Sequence, residues 1–215
     1  MSQNILVTGG AGFIGSRLAL SLLGRGHTVS VLDTLETQVH GENPESSPLF
    51  CLIKDKVAFV SGSVTNKADL MKVLPGVDTV IHLAAETGTG QSMYAIQHYS
   101  DVNIGGTALL LDLIANEKFP VNKIIVASSR AVCGEGKYHC DEHGDVFPHS
   151  RAQQDMESGD FSVHCPICNV PAWLEATDEA TPVCPTSVYG ITKLNQEQMV
   201  LTVGRTLGIS ALAYR

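Results

Sequence analysis

Thr8-Gly9-Gly10-Ala11-Gly12-Phe13-Ile14-Gly15, TGGAGFIG, is the stretch that decides the fold. It follows an apolar run at 5–7 and opens a helical pattern in which Ile14, Leu18 and Leu22 recur every four residues. The glycines read as GxGxxG from Gly10 or as GxxGxxG from Gly9. In either frame they allow a sharp turn and close backbone approach to a pyrophosphate. Free N–H groups and the positive end of the following helix then face the anion. On this reading Gly9, Gly12, Phe13, Ile14 and Gly15 are the expected contacts to a dinucleotide; an ordinary tight turn is the bland alternative.

Further apolar runs rich in β-branched residues lie at 28–32, 57–60, 79–83, 123–127 and 209–213, each short and nearly continuous, as buried strands require. Helical patterns separate most of them: 70–74, a long segment over 94–116, and 188–207. Alternating strands and helices predict right-handed βαβ units, hence an α/β Rossmann-type doubly wound parallel sheet. Two stretches break the rhythm. Residues 34–48 are polar with two prolines and read as a surface loop. Residues 134–185 far exceed the about 2 to 6 residues usual for such a connection, so an insertion with its own organisation is expected. The domain reading is one dinucleotide-binding domain over 1–215, interrupted at 135–181.

Asp33 ends the second strand run, near the offset of about 20 residues at which a carboxylate accepts from ribose hydroxyls. A carboxylate there repels a 2′-phosphate and favours NAD over NADP; otherwise Asp33 only starts the loop.

Tyr189-Gly190-Ile191-Thr192-Lys193 sets a phenol and an ammonium four residues apart, on one face of a helix. Ordinary phenols ionise near pH 10. One that serves as base at neutrality therefore needs roughly 4 kcal/mol of phenolate stabilisation, at about 1.4 kcal/mol per unit. A nearby lysine and a bound pyridinium supply charge of the right sign. The spacing alone is equally that of an exposed amphipathic helix. Ser128 and Ser129, however, end the fifth strand run at the carboxyl edge of the sheet, where ligands bind in open α/β folds. A serine there can share the substrate oxygen with the phenol, or cap a turn instead.

TGGAGFIG at 8–15, HLAA at 82–85, VNIGGT at 102–107, SSRAVCG at 128–134 and YGITK at 189–193 resemble the extended short-chain dehydrogenase/reductase family, in its order and across nearly the whole chain. The resemblance is to its NAD-dependent nucleotide-sugar 4-epimerase type, UDP-glucose 4-epimerase-like. DTLETQVHG at 33–41 narrows the impression to dTDP-L-rhamnose 4-epimerase-like proteins. It implies Ser129 as catalytic serine, Tyr189 as base and Lys193 as partner of both tyrosine and cofactor ribose. Ser63, Val64, Leu83, Ala84, Ala85 and Asn103 would line or back the cofactor site. Cys133 stands where the family usually has tyrosine, and Ser63 where it has an aspartate near the adenine. The second departure weakens any claim about adenine contacts. Sugar dehydratases of the family carry acidic residues after the catalytic hydroxyl residue; Arg130 and Ala131 occupy those places. Epimerisation at C4 through a 4-keto sugar is therefore expected. A nucleotide-keto-sugar reductase or dehydrogenase, or a non-catalytic NAD-binding sensor, are the alternatives. Family members continue beyond the sixth strand run, where this chain ends, so the C-terminal substrate domain is expected to be missing and sugar turnover by 1–215 slight or absent.

Within the insertion, Cys140-Asp141-Glu142-His143 and Cys165-Pro166-Ile167-Cys168 form CxxH and CxxC knuckles at about the 15 to 20 residues that separate the halves of a zinc ribbon. Cys140, His143, Cys165 and Cys168 would close a tetrahedral structural Zn²⁺ site, worth about 10 to 16 kcal/mol of binding energy to a polar segment without a core. Buried free thiols, a redox CxxC or chance spacing are the alternatives, and Cys133, His139, His164 and Cys184 lie close enough in sequence to compete with His143. Because the segment leaves the sheet just after Ser129, it is expected to shape or cover the substrate pocket.

The bulk figures set bounds. With 44% hydrophobic and 17% charged residues over 215, the chain holds one sizeable core and is not disordered. A formal charge of −8 without a basic run argues against nucleic acid or an anionic membrane as partner. No stretch approaches the about 20 apolar residues of a membrane span, and no signal-peptide pattern opens the chain. The expected setting is cytoplasmic, with a nucleotide-sugar as substrate and a homodimer as the assembly.

Overall fold

Six short apolar runs form one parallel sheet in the computed structural model, which describes residues 2–215. The strands are β1 (Asn4–Thr8), β2 (Thr28–Asp33), β3 (Ala58–Ser61), β4 (Thr79–His82), β5 (Lys123–Ala127) and, last in the chain, β9 (Ser210–Tyr214). Their order is β3-β2-β1-β4-β5-β9, which places the reversal of direction between β1 and β4. Both edges of that crevice are in parallel register, with Val7 opposite Val31 and opposite Ile81.

The alternation of side chains explains why these runs are apolar throughout. Ile5, Val7, Val29, Val31 and Ile81 point to one face, where α1 (Phe13–Gly24) covers them with Ala19. Leu6, Leu32, Val80, Ile124 and Val126 point to the other. There they meet Leu70 and Val73 of α2 (Lys67–Val73), Leu110 and Leu113 of α3 (Gly106–Asn116), and Val200 of α4 (Val188–Leu207). With both faces covered, the strand interiors are apolar apart from Ser30 of β2. The Rossmann-type parallel architecture read from the alternation is the one observed.

Local departures have local causes. The segment read as one helix over 94–116 is broken into short turns and a wide π turn at Ser100–Gly105 before α3 begins. Gly106 lets α3 press on Val64: a Cβ there would lie 2.6 Å from Val64 Cγ2. The stretch 34–48 is not wholly irregular, since it winds into helical turns at Thr37–His40 and Pro44–Ser46. The helix read at 70–74 starts earlier because the Asn66 side chain caps it, accepting from Ala68 N and Asp69 N.

The insertion forms a small antiparallel sheet of β6 (Tyr138–Cys140), β7 (Gly144–Val146) and β8 (Trp173–Leu174), in order β7-β6-β8. Its stems meet near the main sheet, where Cys184 N donates to Val132 O at 2.9 Å.

Candidate functional site

The carboxyl ends of β1, β2 and β4 build one lip of a cleft. Gly9 turns the chain with φ +68, and its amide donates to Leu32 O at 2.8 Å. A Cβ on Gly9 would lie 2.7 Å from Ala84 N, and one on Gly15 would lie 2.5 Å from Gly10 Cα and from Gly9 O. Three turns of backbone are therefore stacked more tightly than any side chain allows. Gly12 begins α1 with no side-chain cap, leaving the first amides of the helix directed at the cleft. Phe13 and Ile14 stand exposed on its rim, 72% and 63%. Backbone amides so arranged could hold an anion.

Asp33, at the tip of β2, accepts from Ala11 N and from Leu35 N, both at 2.9 Å. Each oxygen keeps a lone pair for a further donor. Leu83, Ala84 and Ala85 form the turn after β4, and Leu83 N donates to Thr8 O at 3.0 Å. Ser63 N donates to Asp69 Oδ2 at 3.2 Å, and Val64 is buried in the core beneath. Asn103 is fully buried. Its carboxamide accepts from Glu86 N at 2.7 Å and donates to Glu86 O and Thr192 Oγ1, so it ties the loop after β4 to α4 from behind the cleft.

The end of β5 and the start of α4 carry the residues expected to be catalytic, Ser129, Tyr189 and Lys193. Ser187 caps α4 by accepting from Gly190 N at 3.0 Å, which sets Tyr189 in the first turn. The Tyr189 amide donates to Ser92 Oγ at 3.0 Å, and its ring meets Tyr99 edge-on at 6.5 Å and 89°. The two serines separate clearly. Ser128 is buried and donates to Glu197 Oε2 at 2.6 Å. Ser129 Oγ caps the turn Arg130–Cys133 by accepting from Ala131 N at 3.1 Å, and that leaves its hydrogen free to give. A Cβ on Gly190 would come within 2.7 Å of Ala131 O, so the start of α4 lies directly on the turn that Ser129 caps. Arg130 donates to Gly134 O and Glu135 O, and is thereby committed to the stem of the insertion.

One helical turn after Tyr189, Lys193 is buried at 3% exposure and donates to Gln196 Oε1 at 2.6 Å. Burial pushes its amine down to about 8. His82 lies deeper, with its rings of partners Thr8, Thr107 and Gln196; burial, then the charge of Lys193, pushes it down to about 3. Glu197 is pulled two ways. Burial raises its carboxyl, while hydrogen bonds from Arg215 and Ser128 outweigh that and hold it low. Thr8, His82, Ser92, Thr107, Gln196 and Glu197 had no assigned role in the sequence reading. Gln196 and Glu197 were open to discovery by helical spacing, being one turn beyond Lys193; the partners on β1, β4 and α3 were not.

In the insertion, the ligand atoms of Cys140, His143, Cys165 and Cys168 all lie within 4.8 Å of one another. Cys140 Sγ is 3.5 Å from His143 Nδ1 and 3.7 Å from Cys168 Sγ, and Cys165 Sγ is 3.8 Å from His143 Nδ1. Edges of a tetrahedral zinc site with these ligands are about 3.5 to 3.8 Å, from metal–ligand bonds of about 2.0 to 2.3 Å. Asn169, with φ +60, closes the CxxC knuckle by donating to Cys165 O at 2.9 Å.

The chain resembles known proteins along its length. Residues 5–152 match the family described as NAD dependent epimerase/dehydratase. Over 198 residues, 92% of the chain, it is 36% identical to a dTDP-L-rhamnose 4-epimerase of Burkholderia thailandensis, covering 53% of that protein. It is 33% identical to a UDP-glucose 4-epimerase of Neisseria meningitidis over 62% of the chain and 38% of that protein. Among solved structures, a UDP-glucuronic acid 4-epimerase of Bacillus cereus in complex with UDP-glucuronic acid and NAD superposes with a TM-score of 0.70 at 26% identity, covering 99% of this chain and 55% of that one. A UDP-glucose 4-epimerase of Brucella ovis in complex with NAD gives 0.66 at 28% identity, covering 99% and 51%. The chain thus spans about half the length, or less, of these relatives. No described helix is long and apolar enough to cross a membrane. The glycine turn, the YxxxK helix, the matched sequence model and the shared architecture together establish that the chain belongs to the NAD-dependent epimerase/dehydratase family.

Proposed function

We propose that the chain is the cofactor-binding and catalytic part of an NAD-dependent nucleotide-sugar 4-epimerase, an isomerase. The observation that carries the reading is the joining of the Tyr189–Lys193 face of α4 to the Ser129 turn at Gly190, opposite an anion cradle of backbone amides. NAD bound on Gly9 to Gly15, with Asp33 toward its ribose, supplies the hydride acceptor and donor. Ser129 gives its free hydrogen to the C4 oxygen of the sugar. Tyr189 removes the C4 hydroxyl proton as the hydride leaves that carbon, which yields the 4-keto sugar. Re-reduction on the opposite face, with the proton returned by Tyr189, gives the C4 epimer and no net redox change. Lys193 orients ribose hydroxyls and lends positive charge to the phenol. Arg130, held by two carbonyls, stands where the sugar dehydratases of the family carry an acidic residue, which favours epimerisation.

The domain reading is a single NAD domain over 1–215 with an insertion at 135–181, which holds structural zinc on Cys140, His143, Cys165 and Cys168. The fit of four soft ligands to a tetrahedron supports it. So does the poverty of the insertion's own core, whose buried members are Cys140, Val146 and Cys165. Zinc here would tie two hairpins and leave no open position for chemistry.

The reading is tested by incubating this chain, carried on a polypeptide that spans the full length of its relatives, with a panel of nucleotide-sugars and trace NAD, with C4 inversion followed by NMR. Inversion with Tyr189→Phe inactive supports it. Stoichiometric NADH consumption would instead make it a keto-sugar reductase, and NAD binding without turnover of any sugar would make it a sensor.

A further inference from the structure

Lys193 has no counter-charge. Among the described residues its hydrogen-bond acceptor is the Gln196 carboxamide oxygen, and no carboxylate stands within ion-pair distance of it. Gln196 is itself fully buried. A neutral amide in that place has to do two things: accept from Nζ and give its own N–H groups somewhere to go.

The direction of each proton follows from the groups whose roles are fixed. An ammonium only donates, so Gln196 presents Oε1 to Lys193 and Nε2 to Thr107 Oγ1 at 2.7 Å. The Thr107 hydroxyl gives its hydrogen to Asn103 O at 2.6 Å. Its oxygen receives Gln196 Nε2–H and lies 2.9 Å from His82 Nε2. His82 Nδ1 lies 2.7 Å from the Thr8 hydroxyl, so the imidazole links the two threonines in either tautomer. Thr8 Oγ1 in turn receives Ala84 N at 3.4 Å. The second N–H of Gln196 has His82 Nε2 within reach at 3.2 Å. Lys193 and Thr107 hold the carboxamide in one orientation.

We infer that Gln196 is a positioning residue for Lys193, a carboxamide locked through Thr107 and His82 to the glycine turn, which holds the ammonium beside Tyr189 without neutralising it. The inference rests on the reading of Lys193 as part of the site. A glutamate at 196 would make the same hydrogen bond but cancel the charge; an apolar residue would leave the ammonium unheld. Other titratable groups on this side do not replace it. His82 is kept neutral, Tyr189 and Tyr99 are phenols, Glu86 pairs with His98 at 3.2 Å, and Glu197 is engaged by Ser128 and Arg215.

The experiment is a titration of the Lys193 amine by the ¹³Cε NMR shift in lysine-labelled protein, run beside the pH dependence of NADH affinity. Wild type is expected to titrate near 8. Gln196→Glu should raise the midpoint by about one unit or more, a tenfold or larger gain in proton affinity. Gln196→Met, of similar length without an acceptor, should lower it and weaken NADH roughly tenfold. A Lys193 midpoint equal in all three proteins overturns the inference. If the variants do not fold, the wild-type Lys193 titration decides: a midpoint at the ordinary 10.5 overturns the inference, whereas one near 8 supports it. These lysine shifts in a protein that binds no NADH would remove the cofactor reading and keep the role of Gln196; NADH binding with an unshifted lysine would do the reverse.

Discussion

The carboxylate of Asp33 accepts the amide of Ala11 at 2.9 Å, so the tip of β2 is fastened to the glycine turn of β1 before any ligand arrives. The same group holds Leu35, which has φ +56. Asp33→Ala should therefore cost stability as well as cofactor affinity, roughly 1 to 3 kcal/mol for the stranded amides. Calorimetry should show NAD binding weakened tenfold or more, with discrimination against NADP reduced; unchanged NAD affinity would remove the ribose role.

Gly15→Ala forces a methyl into the 2.5 Å space against Gly9 O and Gly10 Cα, both backbone atoms that cannot rotate away. We expect a loss of about 2 to 4 kcal/mol in denaturant unfolding, together with loss of NAD binding. Gly24→Ala, at the far end of the same helix with nothing within 4 Å, should instead stabilise by about 0.5 kcal/mol.

His82 makes the fold sensitive to mild acid. Its folded value of about 3 lies below the ordinary 6.5, so the unfolded chain takes up the proton first as pH falls. Stability from this group is complete above 6.5 and is lost progressively toward 3. Between pH 7 and pH 5 the loss should be about 2 kcal/mol. His82→Gln should be less stable at neutrality yet show a flatter dependence across that window; an equally steep curve would assign the acid sensitivity to other groups.

Metal analysis of the purified protein should return about one zinc per chain. Cys165→Ser with Cys168→Ser should abolish it and expose 144–163 to proteolysis, because the insertion buries little else. Nucleotide-sugar affinity should change as well if the insertion shapes the pocket. A metal-free protein whose insertion resists protease would sink the zinc proposal.

Much of this molecule is legible in one dimension because its decisive contacts are local. The βαβ order follows from apolar runs that need cover on both faces, and TGGAGFIG and YGITK each place their groups within about one helical turn. The four zinc-ligand candidates were likewise visible as two short spacings, and their convergence to 4.8 Å is the tertiary counterpart. The segment over 94–116, read as one helix, is interrupted by a π turn at Ser100–Gly105, which no spacing of its apolar residues signals.

Sequence alone therefore determined the architecture, the glycine turn and the phenol–ammonium pair, since backbone periodicity and short spacing encode them. Only the tertiary structure decided which of two adjacent serines keeps a hydrogen to give. Ser128 spends its own on Glu197, 69 residues away, and Ser129 does not. It also decided that Gln196 reaches from Lys193 to Thr107, 89 residues earlier in the chain. Hydrogen-bond direction depends on which groups meet in space, and sheet closure brings those groups together from strands and helices that share no spacing in the chain.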